Sequence, residues 1–242
     1  TLRATHKVSG GRAALAALLP PGLLVASVFA LYAYFLFNVI SSTGSFATSG
    51  VIVPRDETKI IVDAMLIHAE ENADRPPRHA IELVAQRYVT AWDLTLASSQ
   101  TMSGDVPVGG ITLDAFAEAS SSRQAAVVQA AIQALPEDVV AHRLGDFVFT
   151  CHGIDWEDAD PGLWIVIASP DPGANPNAAY FAEPVVGRLD GTCESIPKPE
   201  FEAKLIEQNA LRAKHGLPPL PFPERVRHGR PAVARGGGAI DE

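Results

Sequence analysis

Hydrophobic positions along this chain follow four successive patterns. Leu23–Ile40 reads LLVASVFALYAYFLFNVI, with Ser27 and Asn38 as its only strongly polar side chains, and it lies inside a stretch, residues 13–54, without a single Asp, Glu, Lys or Arg. Eighteen residues of helix rise about 27 Å. Starting the helix at Pro20 or Pro21, where a missing N–H costs nothing, extends it to roughly the 30 Å of a bilayer core. The spacing therefore predicts a transmembrane helix within residues 13–41, followed by a Ser/Thr/Gly-rich spacer over 42–54. Phe29, Tyr32, Tyr34, Phe35 and Phe37 crowd its later half, as an aromatic belt at the outer interface would. A cleaved signal peptide is the competing reading, but the apolar run is long for that role. Gly22, Ala26 and Ala30 recur every four residues, a small-residue row on which a neighbouring membrane helix could pack, although alanine is common enough here to produce such rows by chance.

Beyond the spacer the period becomes helical. Within Thr58–Asn72, Ile61, Ala64, Met65 and His68 share one face, and the break at Asp74-Arg75-Pro76-Pro77 ends that helix. Ile81, Val84, Ala85, Tyr88, Trp92 and Leu96 form a single stripe, which predicts an amphipathic helix over Pro77–Leu96 with the stripe facing the core. After a loop at Gly104–Gly110, Thr112 can cap a third helical stretch, Leu113–Leu135, which Ser120-Ser121-Ser122 divides. From Val139 the runs shorten. Val139–His142, Asp146–His152, Leu163–Ser169 and Tyr180–Arg188 are rich in β-branched and aromatic residues and separated by turn formers, as antiparallel strands are. Lys198–His215 returns to helix, with Gly216 and Pro218-Pro219 as its stop signals. The expectation is an α+β domain over residues 55–217: three helices, a small antiparallel sheet and a closing helix. The Pro/Arg/Gly-rich residues 218–242 are expected to be mobile unless a partner orders them.

Charge sets the orientation. Residues 1–12 carry Arg3, Lys7 and Arg12 and no acid, whereas residues 55–222 carry 12 basic and 25 acidic side chains. A basic arm before the span and an uncharged flank after it predict a cytoplasmic N-terminus with the acidic domain outside; a bacterial inner membrane with a periplasmic domain is the expected setting, and an organelle inner membrane the alternative. The formal net charge of −9 disfavours nucleic acid as a partner. In an oxidising compartment the only two cysteines, Cys151 and Cys193, are expected to form a disulfide, closing a loop of about 42 residues.

Little else in the sequence carries chemistry. Cys151-His152 suggests a nucleophile pair, but neighbours on a strand point to opposite faces. Asp155, Glu157, Asp158 and Asp160 cluster without the spacing of a calcium loop and read as a solvated turn. His68, His79, His142, His152 and His215 lack metal-ligand spacing, and no phosphate loop or nucleophile elbow occurs. No cofactor, metal or catalytic residue is assigned. The element order resembles that of the bitopic scaffold components of type IV secretion and conjugation machines, and it fits accessory subunits of respiratory or photosynthetic complexes equally; the likeness is one of order, and no motif residue carries it. The expected function is a non-catalytic membrane-anchored subunit that contacts lipid and other subunits of a larger assembly. A membrane-anchored ligand-binding module and an exported hydrolase are the alternatives.

Overall fold

The computed structural model describes residues 52–96, 102–170 and 183–234. The basic arm, the expected membrane span with Gly22, Ala26 and Ala30, and most of the spacer lie outside the described residues. Among the described residues no helix is long and apolar enough to cross a membrane.

The domain is α+β, built on a six-stranded antiparallel sheet. Among the described residues its helices are α1 (Ile52–Glu71), α2 (Ile81–Ala85), α3 (Leu113–Ala117), α4 (Ser121–Gln133) and α5 (Lys198–Lys214). Strands β1 (Pro107–Val108) and β2 (Ile111–Thr112) form a separate hairpin, whose Gly109-Gly110 turn takes positive φ at both residues. The main sheet contains β3 (Val139–Leu144), β4 (Phe147–Phe149), β5 (Trp164–Ala168), β6 (Val185–Arg188), β7 (Cys193–Ser195) and β8 (Ala232–Val233), in the order β7-β6-β5-β4-β3-β8.

Both faces of this sheet are covered, which is why β4 and β5 are buried at every position. On one face Ile61, Val62 and Met65 of α1 pack with Phe147, Phe149, Ile165 and Val166. On the other, Phe201 and Leu205 of α5 join Val148, Trp164, Ile167 and Val186. Strand alternation sorts these residues except where the ladder slips. A register shift between Trp164 and Val166 turns both Ile165 and Val166 toward α1.

The period-3.6 reading of α1 matches its burial: Ile61, Ala64, Met65 and His68 are all enclosed. The helical stretch is also divided near the serine run: α3 ends at Ala117, Ser120 stands at the N-cap of α4, and Ser121 and Ser122 begin that helix. The long helix expected over Pro77–Leu96 is not formed. It stops after five residues because Arg87 takes a left-handed φ of 64°, and the Tyr88 N–H to Leu83 carbonyl and Arg87 N–H to Val84 carbonyl bonds close the end in a Schellman arrangement. Thr90 then bonds the Asp93 carboxylate through both its N–H and its hydroxyl, so a short 3₁₀ turn replaces continued helix and leaves Trp92 64% exposed.

The C-terminal residues also depart from expectation, since as far as Ala234 they belong to the domain itself. β8 pairs with β3, and Leu220 and Val226 are buried against the α5 face. Arg143 on β3 donates to the carbonyls of Val226 (2.7 Å), Pro223 (2.8 Å) and Ser169, pinning this segment to the sheet. Asn209 of α5 accepts from the Leu220 N–H (2.7 Å) and donates to its carbonyl (3.1 Å).

Gly187 marks a close approach of α1 to the sheet. A Cβ there would lie 2.2 Å from Val62 Cγ2 and 2.8 Å from Val166 Cγ1, both on stiff, buried, β-branched side chains. Gly187→Ala is expected to lower the denaturant midpoint by an amount equivalent to about 1–3 kcal/mol with an unchanged slope. An unshifted midpoint would show that α1 does not seat as described.

Candidate functional site

Among the described residues, the principal gathering of polar chemistry lies where β3 meets the entry to α2. Alternation along β3 sends His142 and Leu144 toward the α1 and α2 face and Arg143 to the opposite one. His142 stands across from Phe149 of β4 and stacks on its ring at 5.3 Å. The chain leaves the sheet beyond Phe149, which carries His152 back over His142, their rings 4.8 Å apart. From the other side the segment before α2 delivers His79, whose ring centre is 4.5 Å from that of His142.

Hydrogen bonds assign the tautomers. The Ala80 N–H donates to His142 Nε2 at 3.1 Å, so a neutral His142 carries its proton on Nδ1 and donates it to His152 Nε2 at 2.6 Å. The Ile81 N–H donates to His79 Nδ1 at 3.1 Å, which leaves the His79 proton on Nε2. Three neutral imidazoles offer three acceptor nitrogens, and each of the three already receives a protein N–H. Two of those donors, Ala80 and Ile81, open the first turn of α2, where main-chain N–H groups lack helical partners. Glu82 completes that end by accepting from the N–H groups of Arg78 (2.6 Å) and His79 (3.2 Å).

The electrostatics follow from enclosure. Burial, with His152 beside it, lowers His79 from 6.5 to about 4. Burial and then the Arg212 charge bring His152 to about 4. The fully enclosed His142 is held well below the usual range by burial, and its two histidine neighbours add to this. Among the described residues no group of His, Cys, Asp and Glu is arranged to hold a metal ion.

Two cavities flank the array. One of about 270 Å³ is lined by His152, Pro76, Pro77, Arg78, Leu135 and Glu137 among others. A smaller one of about 120 Å³ is lined by His79, His142, Arg143 and Arg227 together with Val108 and Gly109 of the β1–β2 hairpin. Behind His152 lies Arg212 of α5, fully buried, which donates to the carbonyls of Pro218 (2.8 Å) and Thr150 (3.2 Å) while its Nη2 has no acceptor among the described residues. Burial lowers its pKa to about 10.

The expected Cys151–Cys193 disulfide is not formed; both thiols are free and buried. The strand order explains this. Cys151 follows β4 and Cys193 begins β7, so β5 and β6 stand between them. Three strand spacings amount to about 14 Å, beyond the reach of a disulfide. Cys151 Sγ faces the Pro77 carbonyl at 3.9 Å while His152 turns to His142, so these neighbours do not work as a pair. In the acidic turn Asp155 and Asp160 bond nearby main-chain N–H groups.

Spacing concealed the histidine array: His79 is far from the other two in sequence, and His142 and His152 meet only because the chain bends out of the sheet. The available signal was that two histidines flank a hairpin whose turn is Gly145-Asp146. Comparison with protein families, with curated proteins and with solved structures gives no match.

The thiols provide a direct check. Burial raises Cys193 and pushes Cys151 up to about 12. The folded, unreduced chain at pH 8 is expected to incorporate no iodoacetamide over minutes and two equivalents after denaturation. Failure to label in denaturant without reductant would instead reveal a disulfide.

Proposed function

We propose that the chain is a non-catalytic, single-pass membrane subunit whose α+β domain, on the periplasmic face of a bacterial inner membrane, braces a larger assembly. The observation that carries this reading is the use made of the domain's buried polar groups. The acceptor nitrogens of the histidine array, the guanidinium of Arg143 and two donors of Arg212 bond the chain's own main chain or one another. These groups hold α2 and the C-terminal segment in place. Large apolar side chains meanwhile face outward on both long helices: Ile60 and Ile67, two turns apart on α1, and Ile206 on α5. The membrane anchor and its orientation rest on the uncharged stretch 13–54 and the basic residues before it.

A second reading, an anchored ligand-binding module, is favoured by the cavity of about 270 Å³ beside His152. Extraction of the full chain in mild detergent followed by sizing separates the two. The subunit reading expects a stable, stoichiometric complex that Ile60→Glu with Ile67→Glu weakens at least tenfold without altering the fold. A monomer whose melting temperature rises with a small molecule supports the binding module instead. Truncation tests should remove only residues 235–242, because residues 218–234 carry β8 and the acceptors of Arg143.

A further inference from the structure

We infer that the His79–His142–His152 array is an acid-operated latch that holds α2 and the Arg75–Ala80 strap on the sheet when neutral and releases them when it takes up a proton. The inference stands on hydrogen-bond accounting. All three acceptor nitrogens of the neutral array receive a protein N–H, so an added proton has no vacant place. A proton on His79 Nδ1 opposes the Ile81 N–H. One on His142 Nε2 opposes the Ala80 N–H. One on His152 Nε2 opposes His142 Nδ1–H, and relieving that clash by shifting the His142 proton to Nε2 brings it against Ala80 again. Two of these routes, and the relief of the third, end at the first turn of α2.

That element cannot hold itself. Five residues are too few for a helix stable in isolation, so α2 depends on its packing and on the groups that satisfy its first turn. Its release would also widen the cavity beside His152, because Pro76, Pro77 and Arg78 form one wall of it. Among the described residues, the other charged or titratable groups around the array are Arg212 from α5, Arg78 from the strap, Glu82 from α2, Glu137 before β3, Arg143 of β3, whose guanidinium is engaged on the opposite face, Arg227 from the C-terminal segment and the neutral Cys151 thiol.

The sign of the pH effect follows from linkage. His79 and His152 are depressed in the closed state, whereas the opened segment binds protons near the ordinary 6.5. The closed latch is therefore fully favoured above that value and loses ground as pH falls toward about 4. For one histidine shifted to about 4, the opening constant rises about 30-fold between pH 7.5 and pH 5.0.

The test is amide exchange of the full chain in detergent, corrected for the intrinsic pH dependence, with histidine ring nitrogens followed by NMR. Residues 76–88 are expected to lose protection about 30-fold or more between pH 7.5 and 5.0, while Trp164–Ala168 stays protected and tryptophan fluorescence remains native. His79→Asn keeps an acceptor for the Ile81 N–H and His152→Gln keeps one for His142; together they should remove at least tenfold of the response. Glu82→Gln, which retains the acceptor for Arg78 and His79, should leave the response intact. Constant protection of residues 76–88, loss only in one step with β5, a wild-type response in the double variant, or its abolition by Glu82→Gln would each overturn the latch.

Discussion

A sheet buried on both faces constrains everything else in this domain. With β4 and β5 enclosed throughout, a polar group that accompanies them into the interior needs a partner there, and the main chain is the nearest supply. Arg143 and Arg212 illustrate the result. Each sends a guanidinium to the carbonyls of segments that lack regular pairing, and a charge-assisted bond of this kind contributes about 1.5–3 kcal/mol. The C-terminal segment keeps its place because an arginine on the neighbouring strand satisfies carbonyls that would otherwise be left unpaired in the interior. Gln208 serves the same end in neutral form: its amide accepts from the Trp164 N–H at 2.9 Å and donates to the Gly162 carbonyl at 3.3 Å, joining α5 to the start of β5.

Histidine takes this logic further, because its bonding capacity depends on its proton. In the array the rings act as caps and wedges: His142 on β3 and His79 beside it supply the first turn of α2 with acceptors that its own five residues cannot provide. A short helix thus owes its existence to a strand distant in sequence. Such an arrangement is stable while the rings are neutral, and their enclosure keeps them neutral.

Where local pattern decided the outcome, the structure could be read from the sequence. The buried face of α1 follows from its period, the serine run marks the start of α4, and four apolar runs foretell β3 to β6, with β6 shorter than the run that announced it. Reading failed where a non-local effect won. Arg87 adopts the left-handed conformation usually left to Gly or Asn, so no residue type announced the end of α2. The strands β7 and β8, three and two residues long, are below the length at which alternation can be seen. The Pro-rich C-terminal segment has no periodicity; it is ordered by the bonds of Arg143 and Asn209, the burial of Leu220 and Val226 and the pairing of β8 with β3. Compartment chemistry suggested a disulfide that strand order forbids. The histidine array was hidden because its members come from three separate segments, and contact between them is a property of topology.

The edges of the sheet bear on how any neighbour could attach. β8 offers two residues and β7 three, the latter carrying Glu194 in an ion pair with Arg188 of β6. Margins this brief, one of them charged, are poor templates for an added strand, so growth of the sheet by β-augmentation or by edge-to-edge stacking of copies is disfavoured. Recruitment by this domain would therefore fall to side-chain complementarity on helix surfaces, a mode that evolves by single substitutions and leaves the hydrogen-bonded ladder untouched.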